Sequence, residues 1–153
     1  MSLPVRTVVT FESTKFNTTE RQEHFINPCC FGDDLCKWMM GRLSEAGIQC
    51  DPEPGQEDFG WYFNFMMGDA KYCLVCAFRQ PDGDDPGVWV NWVERPTGFF
   101  ATLFGGRDRA IDPAVPRQIH ELLSASPEIS SIRWHLKKDF DSGSEEAAAG
   151  SPT

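Results

Sequence analysis

GWYFNFMMGDAKYCLVCAFRQPDGDDPGVWVNWVE, Gly60 to Glu94, decides the fold. Three apolar, aromatic-rich runs, Gly60 to Met67, Lys71 to Arg79 and Val88 to Glu94, are broken by Gly68-Asp69-Ala70 and by the longer polar QPDGDDPG. Alternating bulky residues bounded by Gly, Pro and Asp read as strands, and a short Gly-containing break suits a tight hairpin. The stretch therefore predicts an antiparallel three-strand meander.

A strand turns successive side chains to opposite sides, so the meander divides into two rows. Trp61, Phe63, Phe65, Met67, Tyr72, Leu74, Cys76, Phe78, Val88, Val90 and Trp92 form the bulkier row, expected to face a core under helices. The other row holds Tyr62, Asn64, Met66, Cys73, Val75, Ala77, Trp89, Asn91 and Val93. With its asparagines and rings, it is expected to face outward. An open sheet face of this kind suits an interface or a ligand groove, with Tyr62, Asn64, Trp89 and Asn91 as the contact residues. Three occupants remain open: the GFFATLFGG segment (98–106) or the tail folding back, a second copy or protein partner, and a small ligand oriented by the two carboxamides.

Outward from the meander, Val5 to Phe11 alternates as a half-buried strand, while Thr14 to Asn27 reads as a loop. A helix follows Gly32: Asp33 and Asp34 suit the positive end of its dipole, Leu35, Trp38, Met39, Leu43 and Ala46 recur at helical spacing, and Gly47 closes it. Ile48 to Cys50 suggests a short strand, and Asp51 to Phe59 a loop. A second helix starts at Asp112-Pro113, carries Val115, Ile119, Leu122 and Leu123, and stops before Pro127. Ile129 to Leu136 is a last strand. The expected architecture is α+β: a mostly antiparallel sheet of five to six strands with two main helices on one face. Residues 1–138 form one domain, and 139–153 an acidic tail with little to bury.

The chain of 153 residues holds 14 Lys and Arg against 23 Asp and Glu, a formal charge of −9, with twelve Phe and five Trp for a core. Eleven acids fall in Asp51 to Asp58, Asp82 to Asp85 and the tail, as solvated segments do. An acidic balance disfavours nucleic acid, whose backbone needs a Lys/Arg stripe, although Arg107 to Lys138 is locally mildly basic. MSLPVRTVVTFE carries no basic leader followed by an apolar stretch, and no apolar run would span a bilayer. A soluble, cytoplasmic protein with reduced cysteines and no membrane partner is expected.

Chemistry is sparse. Glu57 and Asp58 are adjacent before a strand and diverge, whereas paired acid/base carboxylates must converge. Cys73 and Cys76 have chelating spacing, but inside a strand they face opposite sides, so no metal is expected there. Cys29 and Cys30, close to the first helix start with His24 upstream, are the candidates for a reactive thiol, because a helix N-terminus lowers a thiol pKa. His120 and His135 read as surface or satisfied polar groups. No nucleophile elbow, phosphate-binding loop or dinucleotide fingerprint occurs, and no cofactor is expected.

NPCCFGDDL (Asn27 to Leu35), PGQEDFGWYF (Pro54 to Phe63) and IHELLSASPEISSIRW (Ile119 to Trp134) together resemble segments of a small group of uncharacterised bacterial proteins. The resemblance implies no activity, cofactor or site. The residues themselves point to a binding or regulatory module using the open sheet face. The alternative is a thiol-dependent enzyme built on Cys29 or Cys30.

Overall fold

A computed structural model describes residues 5–16, 18, 31–57, 60–84, 87–95, 111–143 and 148–152. Among them the chain runs β1 (Val8–Glu12), α1 (Asp33–Glu45), β2 (Gly55–Glu57), β3 (Gly60–Met67), β4 (Ala70–Arg79), β5 (Val88–Glu94), α2 (Ala114–Ser124), β6 (Ser130–His135) and α3 (Lys137–Asp141). One six-stranded sheet of order β2-β3-β4-β5-β1-β6 is antiparallel throughout. The α+β class and the β3-β4-β5 meander are as the sequence predicts. β2 is a strand inside what reads as a loop, and Cys50 makes a single bridge to Phe65. No described helix is long and apolar enough to cross a membrane.

Registers fix which side chains share a face, because directly paired residues point the same way. Trp61, Cys76, Asn91, Val9 and Trp134 stand in one row across β3, β4, β5, β1 and β6. Phe63, Leu74 and Val93 form a neighbouring row, and Phe78, Trp89 and Phe11 another. Most of these join one buried cluster with Leu35, Met39 and Leu43 of α1 and Val115, Ile119 and Leu123 of α2. Each large side chain fully removed from water contributes about 1.5–3 kcal/mol. Exposed ion pairs such as Lys15 with Glu128, at 3.6 Å, contribute roughly 0–1 kcal/mol. The cluster, not surface charge, holds the fold.

One expectation is reversed. β3 and β4 place the bulky row inward, but β5 is in the other phase: Trp89, Asn91 and Val93 join the cluster side, and Val88, Val90 and Trp92 face away. The two β5 rows carry nearly equal apolar bulk, so composition alone cannot orient the strand, and the carboxamide of Asn91 argues for the solvent side by composition although the residue is buried. The QPDGDDPG connection resets the two-residue alternation, leaving the β4 register to decide it.

The helices end where their sequences require. Gly32, at φ 135, precedes α1 where a Cβ would meet the Cys76 carbonyl oxygen at 2.9 Å, so the helix start lies against β4. At the other end Gly47 adopts φ 85 while the Ile48 N–H reaches the Leu43 carbonyl at 2.9 Å, a Schellman closure. Asp112 Oδ1 accepts the Ala114 N–H at 2.9 Å at the start of α2. Of the segment 139–153, expected as a tail, the described residues include the end of α3 and Ala149, which exchanges both backbone hydrogen bonds with Trp134 on β6 at 2.7 and 2.9 Å.

Candidate functional site

The face turned away from the cluster is not bare. Tyr62, Val75, Trp92, Val8 and His135 stand in one row across it, and Ala77, Val90, Thr10 and Arg133 in the next. Val8, Val75 and Val90 are buried, and among the described residues Met66 is the exposed large hydrophobic side chain. An outward apolar patch was expected here; the described side chains supply a polar concavity instead.

That concavity, of about 460 Å³, is lined by Thr10, Glu12, Arg79, Val88, Ser131, Arg133 and His135. β4, β5, β1 and β6 each contribute to it, because the strand order sets them side by side. At its base Thr10 Oγ1 and His135 Nε2 lie 2.9 Å apart, both residues buried, in a hydrogen bond between β1 and β6. The Phe140 ring of α3 packs edge-on against the imidazole at 5.2 Å. Of the two readings open for His135, a surface group or a satisfied polar group, the structure gives the second: it is 2% exposed and bonded to Thr10.

The rim is shaped by an irregularity. Thr10 pairs with Arg133 but Glu12 with Ser130, so β6 carries one extra residue between these pairs. Ser131 absorbs it at φ 56, the positive value recorded for a described residue other than glycine. A bulge of this kind re-aims side chains, and strained backbone concentrates at ligand sites. Here it brings Ser131 to the same rim as Glu12 and Arg133.

The four contact residues read from the sequence do not meet. Trp89 and Asn91 are fully buried on the cluster side, whereas Tyr62 and Asn64 lie on the opposite face. The Tyr62 ring covers Gly55 of the paired edge strand, where a Cβ would sit 2.6 Å from the ring. Asn64 is occupied: its backbone N–H and its Nδ2 both donate to Asp51 Oδ2, at 2.9 and 3.0 Å. It fastens the Asp51 segment beside a smaller concavity of about 210 Å³ with Cys50 and Lys71.

Cys29, Cys30, His24 and Asp58 lie outside the described residues, as does the 98–106 segment. Of the described cysteines, Cys36 and Cys76 are fully buried. Burial first, then the hydrogen bond shared with Cys76, pushes the Cys36 thiol well above its ordinary range, and burial raises Cys50 as well. Such thiols stay protonated near neutral pH and are poor nucleophiles. Cys76 faces the cluster while Cys73 occupies the opposite-face position paired with Asn64, so the two diverge as their spacing in a strand requires. His120 Nδ1 accepts the Trp134 Nε1–H at 3.1 Å, a structural bond between α2 and β6. No group of three or more His, Cys, Asp or Glu that could hold a metal occurs among the described residues.

Comparison with known proteins finds no match: no family model, no curated protein and no solved structure resembles the chain. The residues must carry the functional reading alone.

Sequence reasoning missed Thr10, Arg79, Arg133 and His135 as a group. The local signal existed, since Arg133 and His135 flank the inward Trp134 and Thr10 alternates with Val9 and Phe11. What joins them is the placement of β1 between β5 and β6, which no local pattern encodes.

Proposed function

We propose that this protein is a small binding module whose ligand is a polar molecule seated in the concavity between Arg79, Val88, Thr10 and Arg133. The observation carrying this reading is the convergence of polar groups from four adjacent strands on that concavity, over the buried Thr10 and His135 pair. Binding sites combine a concave surface with a few polar groups held by a rigid scaffold, and a sheet supplies that rigidity. Self-association through the same face is the weaker reading, because its valines are already buried and an obligate interface needs apolar area. The thiol-enzyme alternative rests on Cys29 and Cys30, and neither described buried thiol supports it.

Val88 lines the concavity and is half-buried, so Val88→Trp fills the space without touching the cluster. A screen of small polar fragments by methyl NMR is expected to shift the Val88 signals of the wild type. Val88→Trp, melting cooperatively, should lose those hits. Hits that persist undiminished in Val88→Trp, or no hits in the wild type, would remove the reading.

A further inference from the structure

We infer that the ligand carries an oxyanion, either a carboxylate or a phosphate, together with a hydrogen-bond donor, and that Arg133 is the residue that reads the oxyanion. This rests on the binding reading above and narrows it to a chemical class.

The charge in the concavity runs against the charge of the chain. Acids outnumber bases 23 to 14 overall, yet the described residues of the lining include Arg79 and Arg133 beside Glu12. Guanidinium groups stay charged at every accessible pH and present a planar fork matched to two oxygens of one carboxylate or phosphate. Arg133 is suited to that role by position. It pairs directly with Thr10, whose hydroxyl is tied to His135 two residues further along β6, and all three residues line the concavity.

Arg79 stands on β4, three strand spacings from Arg133, or roughly 14 Å between backbones. The concavity between them has Val88 and Thr10 among its lining residues, and its volume suits a small molecule rather than a polymer. Glu12 then acquires a purpose. A carboxylate on the rim of a cationic concavity repels a bare polyanion and accepts a hydrogen bond from a hydroxyl or ammonium group. The site therefore selects a small molecule with an oxyanion at one end and a donor at the other, such as a hydroxy acid, an amino acid or a phosphorylated alcohol.

Three probes separate the sources of the oxyanion: glycerate, glycerol 3-phosphate and neutral glycerol, titrated at low ionic strength with the Val88 methyl signals as readout. At least one of the two anions should bind, and glycerol should not. Arg133 is exposed, so Arg133→Gln is expected to melt like the wild type while weakening that anion tenfold or more, the effect of losing a charge-assisted hydrogen bond. Arg133→Lys should recover only part of the loss, because an ammonium cannot make the fork. Glu12→Gln should tighten inorganic phosphate several-fold without a matching gain for glycerol 3-phosphate.

Equal anion binding by wild type and Arg133→Gln, or glycerol binding as tightly as the anions, would overturn the inference. So would silence from all three probes when the fragment screen gives hits that Val88→Trp abolishes; in that case the binding reading stands and the oxyanion assignment alone falls.

Discussion

Thr10 Oγ1 and His135 Nε2 lie 2.9 Å apart although 125 positions separate them in the chain. The bond joins the first strand to the last, and it is buried, so each group depends on the other for a partner that water would otherwise supply. Thr10→Val keeps the shape and removes the hydroxyl. It should lower stability by about 1–3 kcal/mol, the cost of leaving a buried imidazole nitrogen short of its bond. Thr10→Ser should retain most of it. Denaturant midpoints of the three proteins check this, and an unchanged midpoint in Thr10→Val would mean the pair contributes nothing to the fold.

Asn91 makes the opposite case. It is fully buried, and among the described residues neither its Oδ1 nor its Nδ2 finds a hydrogen-bond partner. A buried amide without partners costs about 1–3 kcal/mol. Asn91→Leu, nearly equal in volume, should therefore raise stability by a similar amount, or the melting temperature by a few degrees. A destabilised Asn91→Leu would show that the amide has a partner in the folded state.

Trp89 tests the phase of β5. Its ring is fully buried, packed against Phe78 at 4.9 Å and Phe16 at 5.9 Å. Trp89→Asp buries an unpaired charge and removes a large apolar side chain, so it should abolish cooperative melting rather than alter oligomeric state. Circular dichroism with light scattering distinguishes the two outcomes. A variant that melts like the wild type would return Trp89 to the solvent side.

Cys36 gives a pH dependence with a definite sign. Its folded pKa is raised above the ordinary value of 9.0. The stabilising contribution of the protonated thiol is thus complete below pH 9 and is lost as pH climbs from 9 toward the folded value, by up to about 1.4 kcal/mol per pH unit. Cys36→Ala should be less stable at neutral pH and show a flatter decline above pH 9. The same burial predicts slow alkylation of Cys36 in the native protein. Labelling of Cys36 as fast as a free thiol at pH 8 would contradict it.

Much of the fold was legible from local chemistry. Gly47, Asp112 and Pro113 marked helix ends because each meets a backbone requirement that few residues can meet, and the period-two alternation of Gly60 to Arg79 fixed the inward rows of β3 and β4. β2 escaped notice because three residues rich in Gly and polar groups carry no alternation to read.

The candidate site was much less legible. Alternation relates neighbours within a strand, and it sets Arg133 and His135 on the face opposite Trp134. It carries no information across QPDGDDPG, where the chain reverses, nor between β1 and β6, which only packing brings together. Sequence by itself determined the longer elements, several of their ends and the alternation of side chains within each long strand. The tertiary structure decided the phase of β5 and the insertion of β1 between β5 and β6, because inter-strand hydrogen bonds between distant segments form only when the whole apolar cluster closes.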